Sequence, residues 1–452
     1  MSLKIRSPKI LMRLKNFKKE VSKMLKKTVS LVIFCIILFS SLSFFLSAAD
    51  YELADDDASV GAYYLYNYEN GLCMAEHGTD DMISPSATVK MMTACVALES
   101  GINTSNTVTV TSEMIDGVSG RKMYLKAGDR LTFLDLIYAT VCGGYNDAAT
   151  ALALSVSPSL SDFIDKMNAK AKELDMTATY YSNVTGMDET GMLTCALDVI
   201  KLSNYLVKNE TFIAVSSTVS YKLSDSATCD TKTISNRSSL VASYKGLSNL
   251  SSGSGNNGDC AVLYYNNSEL SFLCIVMNAQ ANNVGDTVNY AEYYSKKLLA
   301  HALNDYSYRT VLTEKSVVAS LPVLYSSLSE SVDLYLKEPL NVYIPDSVDE
   351  TADLTYNCYI YGDELKAPLK SGDTVGEMIV SYGGRILATV PLTVRTDVER
   401  SGFLYFLDLI KNYVLSRAFV FSCIIFVCLM TAYFFYRQKQ LKAIHRSSKK
   451  QR

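Results

Sequence analysis

Lys90 is where chemistry can begin in this chain. It stands four residues after Ser86 and three after Ala87 in Ser84-Pro85-Ser86-Ala87-Thr88-Val89-Lys90-Met91-Met92-Thr93-Ala94. An amine one helical turn from a hydroxyl can take its proton, leaving an oxygen able to attack a carbonyl and carry the acyl group. At about 100° per residue, position 87 lies about 60° to one side of Lys90 and position 86 about 40° to the other, so both share its face. Only position 86 carries a hydroxyl. Its Cα lies about 1.5 Å further along the axis, and a misplacement of about 1 Å can cost about 10²-fold in rate. The methyl of Ala87 cannot attack a carbonyl.

These residues need a helix to hold them, and the flanking sequence supplies one. Ser84 reads as an N-cap with Pro85 at the first helical position, and Val89, Met92, Val96 and Ala97 recur at helical spacing up to Glu99. Further helices are expected over Leu131–Val141, Leu160–Leu174, Ala196–Val207 and Val288–Leu303. Gly61–Glu69 alternates like a strand and turns through Glu69-Asn70-Gly71 into Leu72-Cys73-Met74. Cys260–Tyr265 and Leu270–Met277 form a second hairpin. Together they describe an α+β domain over residues 51–305. Residues 310–398 change character: short β-branched stretches (Ser316–Ala319, Leu340–Ile344, Leu354–Ile360, Thr374–Ser381, Arg385–Val394) indicate a small all-β domain.

Within this frame, several spaced matches in one order resemble the D-alanyl-D-alanine carboxypeptidases, low-molecular-weight penicillin-binding proteins of the bacterial cell wall. They comprise Pro85 to Ala94, Leu131-Thr132-Phe133-Leu134-Asp135-Leu136-Ile137-Tyr138, Asn146-Asp147-Ala148-Ala149, Phe163 with Met167-Asn168 and Lys170-Ala171, and Asn183 with Gly186-Met187-Asp188. The later Lys366-Ala367-Pro368-Leu369-Lys370 and Gly372-Asp373 resemble that family's C-terminal domain. The resemblance implies a penicillin-binding-protein/β-lactamase-like fold, an antiparallel sheet with helices. It also implies acyl transfer, in which a serine opens the D-Ala-D-Ala bond, water releases the acyl-enzyme, and no cofactor is required.

Set against that family, the three site motifs are degenerate. The first, Ser-x-x-Lys, keeps Lys90 but has Ala87 at the nucleophile, so Ser86 is the sole nearby surrogate. The second, Ser-x-Asn, becomes Gly144-Tyr145-Asn146, keeping the asparagine that would bond the substrate amide and losing the proton-shuttling hydroxyl. Tyr145 either intrudes into the cleft or packs. The third, Lys-Thr/Ser-Gly, aligns with Ser251-Ser252-Gly253, so the lysine that meets the substrate carboxylate is Ser251, while Ser252 and Gly253 remain as substrate-binding positions.

The ends place the chain. Residues 1–27 hold ten Lys/Arg against Glu20, and residues 28–48 carry no charge, so 1–49 reads as a basic leader with a signal peptide cleaved after Ala49 or a retained anchor. Residues 401–417 read as an amphipathic juxtamembrane helix or a plain connecting helix, 418–436 as a transmembrane helix of 19 uncharged residues, and 437–452 as a basic cytoplasmic tail with seven Lys/Arg. The two tails contribute +16 to a formal charge of −3, leaving −19 on residues 28–436. An acidic body argues against nucleic acid. The eleven cysteines show no Cys-x-x-Cys or Cys/His spacing, which argues against zinc and for buried free thiols, with a disulfide as the alternative.

The leading expectation is a membrane-anchored, extracytoplasmic, catalytically inactive homologue that binds peptidoglycan stem peptide or a cell-wall synthesis protein. One alternative is an active carboxypeptidase using Ser86. Another is a structural or sensing ectodomain without a peptide site.

Overall fold

Side-chain alternation along three central strands sets the architecture. The computed structural model describes residues 53, 58–281, 289–326, 329–362, 364–415 and 417–450; the basic leader and the first apolar run lie outside them. Strands β1 (Ala58–Asn67), β2 (Cys73–His77), β7 (Leu247–Gly255), β8 (Gly258–Asn266) and β9 (Ser271–Ala281) form an antiparallel sheet in the order β2-β1-β9-β8-β7. Tyr64, Val262, Leu273 and Ile275 point to one face, and Leu65, Leu263, Phe272 and Cys274 to the other. Both faces are buried, so the sheet is the middle of three layers.

The front layer is helical: α1 (Val89–Glu99), α2 (Phe133–Val141), α3 (Asn146–Val156), α4 (Leu160–Glu173), α5 (Ala196–Leu206) and α6 (Glu210–Ser216). Val89, Met92, Leu136, Phe163 and Phe212 join its core. Short antiparallel pairs, β3 (Thr107–Thr109) with β4 (Arg130–Thr132) and β5 (Ser220–Lys222) with β6 (Thr233–Ser235), brace it, and α7 (Leu240–Ser243) leads into β7. Helix α8 (Tyr290–Asn304) covers the rear face through Ala291, Tyr294, Leu298 and Leu299.

Helix starts follow their caps. The second helix begins at Phe133 rather than Leu131, because Thr132 is extended at ψ 157° and closes a capping box with Asp135: Asp135 N donates to Thr132 Oγ1 at 3.1 Å, and Thr132 N to Asp135 Oδ2 at 2.9 Å. Asn289 caps α8, moving its start to Tyr290 from the expected Val288, which lies outside the described residues. Ser84 is not the cap expected of it. A 3₁₀ turn, Ser86–Thr88, precedes α1, with Pro85 at its cap position, and the Ser84 hydroxyl donates to Asp188 Oδ1 instead.

Eight strands follow: β10 (Tyr306–Leu312), β11 (Val317–Leu324), β12 (Ser331–Leu336), β13 (Leu340–Pro345), β14 (Leu354–Ile360), β15 (Leu365–Lys366), β16 (Thr374–Tyr382) and β17 (Arg385–Val394). Six form a sheet in the order β14-β16-β17-β12-β11-β15, and β10 pairs with β13. Leu334, Leu336 and Val342 belong to the same core as α8 and the rear of the first sheet. Helix α9 (Gly402–Leu415) leaves Phe403, Phe406, Leu409 and Ile410 exposed, while Tyr325 Oη donates to its Asp408 at 2.7 Å. Helix α10 (Arg417–Lys450) contains a 19-residue stretch, Phe421–Lys439, long and apolar enough to cross a membrane.

Candidate active site

The expected residues converge on one cleft of about 280 Å³ between the front helices and the β7 edge. Ser86, Ala87, Lys90, Gly144, Asn146, Ser252 and Gly253 all line it. Ser251 does not; it is buried at 5% exposure one step back along β7, beside a bulge between Asn249 and Ser251.

Backbone geometry fixes the start of α1. Ser86 holds φ +44°, a left-handed conformation costing a non-glycine residue on the order of 1–2 kcal/mol. Gly186 packs so tightly on its carbonyl that a Cβ there would lie 2.0 Å from Ser86 O. Position 87 faces β7: a Cβ on Gly253 would lie 2.7 Å from the Ala87 methyl. Ser86 Oγ faces further along that strand, where a Cβ on Gly255 would approach it to 3.0 Å.

Lys90 Nζ donates to Thr185 O, and among the described residues no hydrogen bond joins it to Ser86. Burial first, then the neighbouring Arg237 and Arg121, push the Lys90 pKa down to about 7. An amine poised near neutrality can accept a proton, and among the described residues no hydroxyl is hydrogen-bonded to it.

Asn146 opens α3 with its Nδ2 donating to Ser119 O at 2.8 Å and its backbone N to Arg121 O at 2.7 Å. Tyr145 packs against the front core and lies 4.9 Å under the Arg121 guanidinium, so it is the packed tyrosine of the two expected possibilities. Ser252 Oγ accepts from Asn249 Nδ2 at 3.1 Å, leaving it tied within the strand.

Two arginines that sequence reading missed complete the cleft. Arg121 Nε donates to Gly143 O at 2.8 Å. Arg237 lies between β6 and α7, its backbone N donating to Cys142 O at 2.9 Å and its Nη2 reaching Ser254 Oγ at 3.4 Å. Neighbouring Asn236 staples that segment, donating to Ser216 O and Thr218 O and accepting from Asn249. Burial, then Arg121, lowers the Arg237 pKa, against opposite pulls from Asp259 and Glu292. Asp188 is the one acid lining the cleft among the described residues, and it already accepts from Ser84, from Asn256 N at 2.8 Å and from Asn257 at 3.4 Å. Thus the cleft offers cations and amides, without a hydrogen-bonded pair of hydroxyl and Lys90 among the described residues.

Comparison with known proteins identifies the family and the fold. A family model described as D-alanyl-D-alanine carboxypeptidase matches residues 50–281, just over half of the chain. The chain belongs to the D-alanyl-D-alanine carboxypeptidase family. A second model, the C-terminal domain of penicillin-binding protein 5, matches residues 306–400. The carboxypeptidase DacF of Bacillus subtilis is 24% identical, covering 79% of this chain and 89% of its own length. DacC of Escherichia coli is 27% identical over 81% of this chain and 90% of its own. Among solved structures, penicillin-binding protein 5 of Haemophilus influenzae aligns with a TM-score of 0.55 at 20% identity, covering 77% of this chain and all of that one. The carboxypeptidase DacD of Francisella tularensis gives 0.56 at 19% identity, covering 79% and 97%. The family is one of cell-wall metabolism, and the fold is the α+β penicillin-binding-protein fold with an all-β C-terminal domain.

Proposed function

We propose that this family member has given up acyl transfer and binds wall peptide, or a wall-synthesis protein, from the outer side of the cell membrane. One observation carries the reading: the residue three before Lys90 that meets Gly253 of β7 is Ala87. Deleting the nucleophile of such an assembly costs about 10⁶ in kcat, by analogy with subtilisin. Gly144 and Ser251 remove the second hydroxyl and the strand lysine, while Lys90, Asn146, Ser252 and Gly253 keep the shape of the cleft. The reading using Ser86 as nucleophile finds little support, since that hydroxyl faces Gly255 and makes no hydrogen bond to Lys90 among the described residues.

Anchoring by α10 fits the same reading. Its apolar stretch is followed by basic residues of the kind retained in the cytoplasm, and the exposed apolar side chains of α9 suit the membrane surface.

The test is labelling of the full chain in membranes with fluorescent penicillin, with D-Ala release from a stem pentapeptide measured in parallel. Neither label nor D-Ala above background is expected. A serine-linked penicilloyl adduct in mass spectrometry, lost in Ser86→Ala, would overturn the inactive reading.

A further inference from the structure

Resting on that reading, we propose that Tyr124 and Lys122 form a saccharide subsite on the rim of this cleft, where the tyrosine ring stacks against an amino-sugar of the wall strand that bears the peptide. The first turn of α3 holds the rim in place. Asn146 Nδ2 donates to Ser119 O at 2.8 Å and its backbone N to Arg121 O at 2.7 Å, while the buried Asp147 carboxylate accepts from Met123 N and Leu125 N, both at 3.1 Å. Every second residue from 119 to 125 is thus tied to Asn146 or Asp147, and Met123 and Leu125 bury their side chains in the front core. Tyr124 between them is turned the other way. It holds φ +61° and is 74% exposed, more than any other large hydrophobic side chain among the described residues. A left-handed backbone strains a bulky residue, and such strain persists where the surroundings over-determine it, as at ligand clamps. The two Asp147 bonds, one on each side of Tyr124, supply that constraint.

The ring has a cation beside it. Lys122 Nζ lies 5.8 Å from its centroid and donates to Val118 O at 3.1 Å, which leaves the ammonium further protons to give. A sugar ring presents an apolar C–H face edged by hydroxyls and, in an amino-sugar, an N-acetyl carbonyl. The C–H face suits an aromatic ring, and the oxygens suit an ammonium. Reach brings the sugar to this rim. Gly120 and Arg121 line the cleft, and three residues of chain carry Tyr124 at most about 11 Å beyond Arg121. A five-residue stem spans up to about 17 Å when extended. When the free end of such a stem lies in the cleft, the sugar at its other end is within reach of Tyr124.

The test uses the full chain in detergent micelles and isothermal titration with two probes: an N-acetylated stem pentapeptide, and the same pentapeptide carried on its disaccharide of N-acetylglucosamine and N-acetylmuramic acid. The wild type is expected to bind the disaccharide form about fivefold more tightly or better. Tyr124→Asn, whose short side chain suits a left-handed backbone, should bring that ratio to about one with affinity for the bare peptide unchanged. Tyr124→Phe should keep the ratio and Lys122→Met should lower it; melting temperatures no lower than that of the wild type establish that the variants are folded. A wild-type ratio of one, or a ratio that survives in Tyr124→Asn, overturns the saccharide subsite and leaves the peptide-binding function standing. Loss in Tyr124→Phe as complete as in Tyr124→Asn overturns the stacking, and an unchanged ratio in Lys122→Met removes the lysine from the subsite. Binding of neither probe overturns both proposals.

Discussion

Lys90 was legible in the sequence because the apolar repeat that follows it marks the helix it opens, although the turn before it, Ser86–Thr88, is 3₁₀ and not α-helical. Its electrostatic state was not, since that depends first on burial in the folded cleft and then on Arg237 and Arg121 arriving from distant segments. The Lys90 pKa, about 7 against an ordinary 10.5, means that the folded state holds fewer protons than the unfolded chain between those values. Stability therefore rises with pH across that window: the penalty is full below the folded value and gone above the unfolded one. Urea unfolding of the wild type and Lys90→Met should show the wild type gaining on the variant as pH is raised from 7 to 10. A difference independent of pH would refute a buried cation. Arg237 had no signal to betray it: it falls in no motif, and its role depends on a loop stapled by Asn236. Ser84 misled because a serine before a proline is a good cap by type, whereas the left-handed Ser86 moves the helix start beyond its reach.

At the scale of elements, the paired strands and amphipathic helices were readable wherever period and cap agreed. The β14 and β17 spans match their expected bounds, Leu354–Ile360 and Arg385–Val394. Strands β10 and β12 were missed, although Val332, Leu334 and Leu336 alternate inward, because charged and polar residues interrupt so short a run. The α2 cap shows how one side chain can organise several elements. Asp135 is fully buried, yet it accepts from Thr132 N, from Ser224 N and Oγ at 3.0 and 2.6 Å, and from Tyr221 Oη at 3.0 Å. Burial pushes its carboxyl up, but the hydrogen bonds from Ser224 and Thr132 outweigh this and hold it below the usual value. Such a group stabilises the fold above the unfolded carboxylate pKa, about 3.9, and that contribution is lost as pH falls through the lower folded value. Asp135→Ala should cost about 3 kcal/mol at neutral pH in chemical denaturation. The gap should narrow on acidification below the unfolded pKa; a constant gap would assign the loss to packing alone.

Across the whole molecule, one core runs from the rear of the first sheet through α8 into the all-β domain. Arg385 Nη1 also donates to Gly71 O at 3.2 Å across that junction. Both parts should therefore unfold together. Cys73, Cys95, Cys142, Cys195, Cys229, Cys260 and Cys274 are free and buried, whereas Cys358 is exposed. Burial pushes the Cys260 and Cys274 thiols up to about 12, away from the reactive thiolate. Alkylation of the native body in denaturant titration should mark Cys358 at once and the seven buried thiols in a single step that follows loss of circular dichroism. Separate steps for the two domains would show that the shared core does not couple them.

Those seven shielded thiols also set a race. On the oxidising side of a membrane, where the proposed function puts the body, a chain still folding offers each of them to wrong partners, and a finished one offers none. Speed of burial then does for this protein what cross-links do for many exported ones, and a slow-folding variant would reveal itself first as a mispaired species on a non-reducing gel.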